Sequence, residues 1–125
     1  MLSTVYKVAG DANNGVISAD IFFPDLPPFT TQPESVAFVA AYKKAYGVDP
    51  DKSAALGAAA VQVWAQAVEQ TKSLDRKIVA EAIRGKPVKG TVFGDVQFLP
   101  NGQMQPRYVV FEVVDGKNTK LKALQ

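Results

Sequence analysis

The chain has no cysteine and no histidine. The first absence removes thiolate nucleophiles and disulfides. The second removes imidazole acid–base chemistry, and together they remove nearly every zinc site. A cysteine-free sequence suits an oxidising and a reducing compartment equally, so the compartment stays open. An excess of one charge is also missing: 14 basic against 12 acidic residues leave a net charge of +2. The basic residues are scattered and form no stripe that could follow a phosphate backbone, so nothing argues for nucleic acid as a partner. No apolar run approaches the ~20 residues of a membrane span, and no membrane insertion is expected. The opening, MLSTVYKVAG, has no basic segment followed by an apolar one and does not read as a secretory signal. Either the chain stays in the cytoplasm or Met1 begins an internal fragment. Nucleophile-elbow, P-loop, dinucleotide, zincin and EF-hand patterns are all absent, and no two carboxylates stand at a persuasive spacing. These absences argue against an enzyme and against any cofactor or metal.

What remains is an ordinary globular composition, with 47% hydrophobic and 21% charged residues in a chain of 125. That length is one domain or a piece of a larger one. GDANNG at 10–15 is turn chemistry. VISADIFFP follows, and Val16, Ile17, Ile21, Phe22 and Phe23 read as a mostly buried strand. Pro24, Pro27 and Pro28 stop it and force an extended connector. The connector is either a rigid loop or a crossing between two bodies, and the prolines alone favour the loop. Adjacent strand residues point to opposite faces, so one of Phe22 and Phe23 could line a cleft. Asp20 and Asp25 flank the strand end, where α/β proteins often bind ligands, although a solvated turn acid is the plainer reading.

Three helices follow. In TQPESVAFVAAYKKAYG, Thr31 and Glu34 have capping-box spacing, Pro33 sits in the first turn, and Phe38, Tyr42 and Tyr46 share a face. Gly47 is placed as the stop. The Lys43–Lys44 pair reads as a solvated face. The second helix, SAALGAAAVQVWAQAVEQT, has Asp51 or Ser53 as its cap. Leu56, Ala60, Val63 and Ala67 make one apolar stripe, and Gly57, Val61, Trp64 and Val68 make the next. The helix is therefore expected to be buried on most sides, with Trp64 in the core. Ala58, Gln62, Ala65, Gln66 and Glu69 fall on its polar side, and Glu69 with Lys72 reads as a surface pair. In LDRKIVAEAIRG, Asp75 caps, Ile78, Val79, Ala82 and Ile83 face inward, and Gly85 ends the helix. GTVFGDVQF alternates as a strand, with Val92, Val96 and Phe98 on one face. PNGQMQP carries an Asn-Gly turn signal, and RYVVFEVVDG is a β-branched strand closed by Asp-Gly. The two strands are expected to pair across a seven-residue loop, and the tail KNTKLKALQ to fray. Three helices over so little sheet suggest an α/β protein with strands elsewhere.

The succession GDANNGVISADIFFPD, FVAAYKKAYGVDPD, SAALGAAAVQVWAQAVEQTKSLDRKIVAEAIRG and GTVFGDVQFLPNGQMQPRYVVFEVVDG resembles the C-terminal third of the type I periplasmic solute-binding proteins of branched-chain amino acid ABC transporters. The resemblance covers 8–116. It rests on the Y-x-x-x-Y-G-x-x-P helix end, the A-V-Q-x-x-A-Q-A-V-E helix and the G-x-V-x-F-x-x-x-G hairpin. It implies an α/β class and a partial periplasmic-binding-protein-like fold, ordered strand, three helices, β-hairpin. The intact fold has two lobes that close on a small-molecule ligand by hinge bending. On this resemblance 1–125 is a single fragment: 1–23 belong to the C-terminal lobe, 24–30 to an interlobe connector, 31–99 to the N-terminal lobe, and 106–125 to a returning strand and tail. FFPDLPP becomes the last of three connectors, in place of a mere loop.

The implied ligand-binding rim is Phe23, Pro24 and Asp25 at the connector, Ser53 at the start of the second helix, and Ala58, where relatives usually carry tyrosine. The function so implied is that of the component of an ABC uptake system that binds a solute, an amino acid or related small molecule; this chain is only its C-terminal part, not an enzyme and not expected to bind alone. An ABC permease is its partner, and the intact protein is periplasmic. Unpaired strand edges also suggest a homodimer, symmetric or strand-swapped. The alternative is a standalone interaction or regulatory module that keeps a remnant of the fold.

Overall fold

The computed structural model describes residues 8–120, with side chains through 117. A 3-10 turn at Gly10–Asn13 leads into β1 (Ile17–Asp20). Three helices follow, α1 (Pro33–Tyr46), α2 (Lys52–Thr71) and α3 (Arg76–Gly85). A short hairpin comes next, β2 (Val88–Thr91) and β3 (Gly94–Val96), and then β4 (Val109–Val114) and β5 (Lys117–Lys120). The mixed strand–helix–hairpin order agrees with the α/β reading.

β1, β4 and β5 form one antiparallel ribbon in the order β1-β4-β5. Ile17 stands opposite Glu112 and Asp20 opposite Val109. Asp115 and Gly116, both at positive φ, make the tight turn between β4 and β5, so 117–120 are strand and not a frayed tail. The remainder of that tail, 121–125, lies outside the described residues, as do 1–7. VISADIFF is not one continuous buried strand. The strand stops at Asp20, whose carboxylate accepts from the Ile21 N–H at 2.9 Å. Past that bend both Phe22 and Phe23 turn inward, while Ile17 on the ribbon's outer face is 63% exposed.

α1 begins one residue later than its capping box suggests. Pro33 occupies the first helical position and makes Gln32 the N-cap, and the Thr31 hydroxyl donates instead to the Pro28 carbonyl at 2.9 Å. Gly47 ends the helix with φ 73°, its N–H bonded to the Lys43 carbonyl at 2.8 Å. Phe38, Tyr42 and Tyr46 do stack along one face, with ring centroids 5.8 and 4.5 Å apart. Asp51 caps α2 through the Ala54 N–H, and Asp75 caps α3 through the N–H groups of Lys77 and Ile78. On α3 Val79 is buried, Ala82 and Ile83 are half-buried, and Ile78 points outward.

α2 is not buried on most sides. It buries a single i, i+4 stripe of Ala55, Ala59, Val63 and Ala67, and its outer face carries Val61 and Trp64, 65% and 52% exposed. Trp64 is therefore not a core residue. The reason lies in the polar face, part of which docks on the β2–β3 hairpin. Gln62 Oε1 accepts from the Val92 N–H at 3.0 Å, and Gln66 Nε2 donates to the Lys89 carbonyl at 2.9 Å.

GTVFGDVQF is likewise a hairpin and not a strand. Gly90 and Gly94 sit at positive φ on either side of the turn, and the Thr91 hydroxyl donates to the Gly94 carbonyl at 2.8 Å. The hairpin pairs with itself, while β4 pairs with β1 and β5, so the two expected partner strands lie in different sheets. The Asn-Gly turn closes only a short ribbon around the Phe98–Met104 bridge.

Val92, at the hairpin tip, is fully buried. Its N–H is held by Gln62 of α2 and its carbonyl by Ser35 of α1, whose hydroxyl donates at 2.6 Å. Among the described residues no buried side-chain nitrogen or oxygen lacks a partner. Ser35→Ala should leave the buried Val92 carbonyl without a donor and cost about 1–3 kcal/mol. That would appear as a lower urea midpoint at unchanged slope; an unaltered midpoint would show that the bond contributes nothing.

Candidate functional site

The chain leaves the ribbon through 21–32 and returns to it through 97–108, because β1 and β4 are neighbours in one sheet while everything between them lies outside it. A second passage between the ribbon and the helical layer thus follows FFPDLPP within this chain. Phenylalanines fill the junction. Phe22 lies 4.9 Å from Phe29, 6.2 Å from Phe38 of α1 and 6.0 Å from Phe93 of the hairpin. Phe23 meets Phe111 of β4 edge-on at 4.5 Å. Such edge-to-face contacts add about 0.5–1.5 kcal/mol each beyond burial. They join the ribbon to the helical layer through one cluster that also takes in Ala55, Val92, Val109 and Val113.

On the side of α2's N-terminus, Lys52 reaches back to β1, with its Nζ 3.0 Å from both carboxylate oxygens of Asp20. The sequence gives no sign of this pair, which spans 32 positions. Burial works against ionisation of Asp20, while the Lys52 ammonium, first, and the Ile21 N–H are among the groups that hold its carboxyl below the ordinary value. Asp25, on the connector, goes the other way. Partial desolvation by the surrounding chain, together with the negative charge of Asp49, pushes its pKa up. Asp20, Asp25, Asp49 and Lys52 thus stand at one corner, where the connector, the α1–α2 loop and the first turn of α2 meet.

Of the residues singled out as a rim, Asp25 and Ser53 are exposed and Pro24 is half-buried at this corner. Ala58 is half-buried against the phenylalanine cluster one turn further along α2, and Phe23 is buried within it. Pro24, Asp25 and Ser53 share the surface of the corner, and Phe23 and Ala58 lie beneath it. Lys43 pairs with Asp49 at 3.0 Å, in keeping with a solvated face.

A separate cleft of about 300 Å³ opens between the two crossings. Its lining includes Ile21, Pro28 and Phe29 of the first crossing, Phe93 and Asp95 of the hairpin, and Met104, Pro106 and Tyr108 of the second. No group of three or more acidic side chains among the described residues could hold a metal ion. No helix among them is long and apolar enough to cross a membrane.

The Asp20–Lys52 pair has a definite pH signature. A carboxylate whose pKa is lowered by folding stabilises the chain above its unfolded value of ~3.9, and that contribution is lost as pH falls through the folded value. Lys52→Met is expected to raise the Asp20 pKa, read by carboxyl NMR titration, and to flatten the acid limb of stability against pH. At Asp25 the sign reverses, so Asp25→Asn should stabilise slightly at neutral pH. A fall in stability there would contradict the strain assigned to its charge.

The profile of a family described as periplasmic binding protein matches residues 2–118. Solved structures of such proteins superpose on almost the whole chain. The leucine-binding protein LivK of Thermotoga maritima matches with TM-score 0.80 and 28% identity over 95% of this chain and 33% of its own. The leucine-, isoleucine-, valine-, threonine- and alanine-binding protein of Brucella ovis, in its closed conformation, matches with 0.71 and 26% over 93% and 32%. A solute-binding protein of an ABC transporter from Rhodopseudomonas palustris BisB5, in complex with 3,4-dihydroxybenzoic acid, matches with 0.71 and 25% over 93% and 33%. The chain spans about a third of the length of each.

Proposed function

The chain belongs to the periplasmic binding protein family, and from that premise we propose that it forms the C-terminal third of a solute-binding protein serving an ABC-type uptake system. The match over 95% of the chain to a leucine-binding protein carries this reading. The ligand class follows from the relatives taken together: amino acids in two of them and an aromatic acid in the third. All are small molecules bearing a carboxylate. On this reading the ribbon, with 1–23 and 106–125, belongs to one lobe. The helices and hairpin of 31–99 belong to the other, 24–30 are a connector, and 97–108 are a second crossing alongside it.

The rim is the corner described above. Pro24, Asp25 and Ser53 face the interlobe space, with Phe23 and Ala58 as its backing. Ala58 stands at the base, where a small side chain leaves room above the phenylalanine cluster. A cleft of this kind is completed by residues from the rest of the fold, so the chain by itself binds weakly or not at all. An ABC permease is the partner of the intact protein, and the periplasm its compartment. A second reading, a standalone interaction module, draws on one observation, the exposed apolar stripe of α2.

The test is a chimaera of the Thermotoga leucine-binding protein in which this chain replaces the matching third. Calorimetry with leucine, valine and 3,4-dihydroxybenzoate should show micromolar or tighter binding of at least one, weakened about tenfold or more by Ser53→Trp, which costs at least ~1.4 kcal/mol. The chain alone should bind none of them at sub-micromolar strength. A chimaera that melts cooperatively and binds nothing, or tight binding by the isolated chain, overturns the proposal.

A further inference from the structure

Asp20 and Lys52 belong to different parts of the chain. Asp20 ends β1 in the ribbon, and Lys52 is the first residue of α2 in the helical layer. Their contact, 3.0 Å from Nζ to each carboxylate oxygen, joins the two parts without passing along either crossing. The Lys43–Asp49 pair, by contrast, stays within the helical layer. The phenylalanine cluster that also joins the parts is apolar and nondirectional. Local chemistry does not favour a lysine at the start of α2. The first turn of a helix is the positive end of its dipole, where a cation is disfavoured. α2 has no acidic residue in that turn, and it has Lys52. A residue set against its own helix and satisfied by a partner 32 positions away is the kind of local conflict that marks a functional constraint.

We propose that Asp20 and Lys52 form a latch between the ribbon and the helical layer, one that holds the arrangement described here and releases when the two parts swing away from each other. Exposure sets its strength. The Asp20 side chain is 14% exposed and that of Lys52 41%. A fully buried pair would lock the parts, and a fully solvated one would contribute next to nothing. A pair open to water on the lysine side biases an equilibrium and still lets go, because the ammonium rehydrates as it leaves. Its role in binding rests on the two-lobe reading proposed above, in which the ribbon and the helices belong to opposite lobes. Ser53 of the rim follows Lys52 directly, and Pro24 and Asp25 stand at the same corner. The engaged latch holds the two sides of the rim together and slows ligand release. It touches no ligand atom, so it acts on the population of the closed form and not on which solute fits.

The full chain tests the latch directly. Trp64 of α2 is the single tryptophan, and the chain has no cysteine. Ile17→Cys on the exposed face of β1, labelled with a thiol-reactive dye, therefore gives one energy-transfer pair across the join. Time-resolved transfer should report a narrow spread of distances, and Lys52→Met should widen it with circular dichroism unchanged. Lys52→Arg, which keeps the cation, should leave it narrow. Asp20→Asn removes the charge and keeps an acceptor for the Ile21 N–H; it should widen the spread as Lys52→Met does, and the double variant should widen it no further. In the chimaera described above, Lys52→Met should speed ligand dissociation about two- to fivefold, by one factor for each of leucine, valine and 3,4-dihydroxybenzoate that it binds. A spread of distances that neither substitution alters overturns the latch, as does a double variant in which the two effects add. A chimaera that binds with an unchanged dissociation rate overturns the role at the rim and leaves the function proposed above standing. A chimaera that binds nothing overturns that function, while the distances still decide the latch.

Discussion

The fold depends on how one residue at a hairpin tip is satisfied. Val92 sits in the turn, beyond the ladder of its own hairpin, and it is wholly buried. A peptide group in that position must find side-chain partners or lose about 1–3 kcal/mol per unpaired group. Ser35 takes one side and Gln62 the other. Since these residues come from different helices, the two bonds fix the hairpin, α1 and α2 relative to one another. The apolar packing beneath, where Val63 meets Val88 and Val96, then has a defined register. Dispersion and burial supply most of the stabilisation, but they are nondirectional. The paired hydrogen bonds decide which face of α2 turns inward.

That choice governs what is left outside. With Gln62 and Gln66 facing the hairpin, the stripe of Ala55, Ala59, Val63 and Ala67 turns to the core and the opposite stripe is presented outward. The small side chains on the inner stripe let the junction phenylalanines come close to α2. The same junction joins the ribbon to the helices, because Phe23 and Phe111 meet there while Phe22 touches Phe29, Phe38 and Phe93. The corner above it, with Asp20 and Lys52, is a polar lid on an aromatic floor.

Local chemistry made the helices legible. Pro33, Gly47, Asp51 and Asp75 act within a turn of where they stand, and the structure uses all four at helix ends. Features set by distant partners were not legible. Periodicity shows that α2 has a wide apolar arc, but which part is covered depends on Gln62 and Gln66 finding backbone across 30 and 23 positions. Strand pairing failed in the same way. The β4 sequence reads as a strand on its own, but its neighbours are β1, some ninety residues earlier, and β5, in a stretch expected to fray. One missed feature did carry a signal: Gly90 and Gly94, four apart around Thr-Val-Phe, mark a reversal and not a straight strand. Pro24, Asp25 and Ser53 could be named from the resemblance, whereas Asp49 and the pairing of Lys52 with Asp20 beside them could not.

The two crossings, 21–32 and 97–108, one leaving the ribbon and one returning to it, both line one cleft. A body tied by a single strand is free to swivel about it. Two adjacent tethers take away that rotation and leave one bend, about a line through both. Any swing of the ribbon against the helical layer would be confined to that bend. Pro28 and Pro106, one in each tether and both in the cleft wall, have fixed backbone rotations. Such a bend would fall on the short stretches of chain around them rather than spread along the crossings.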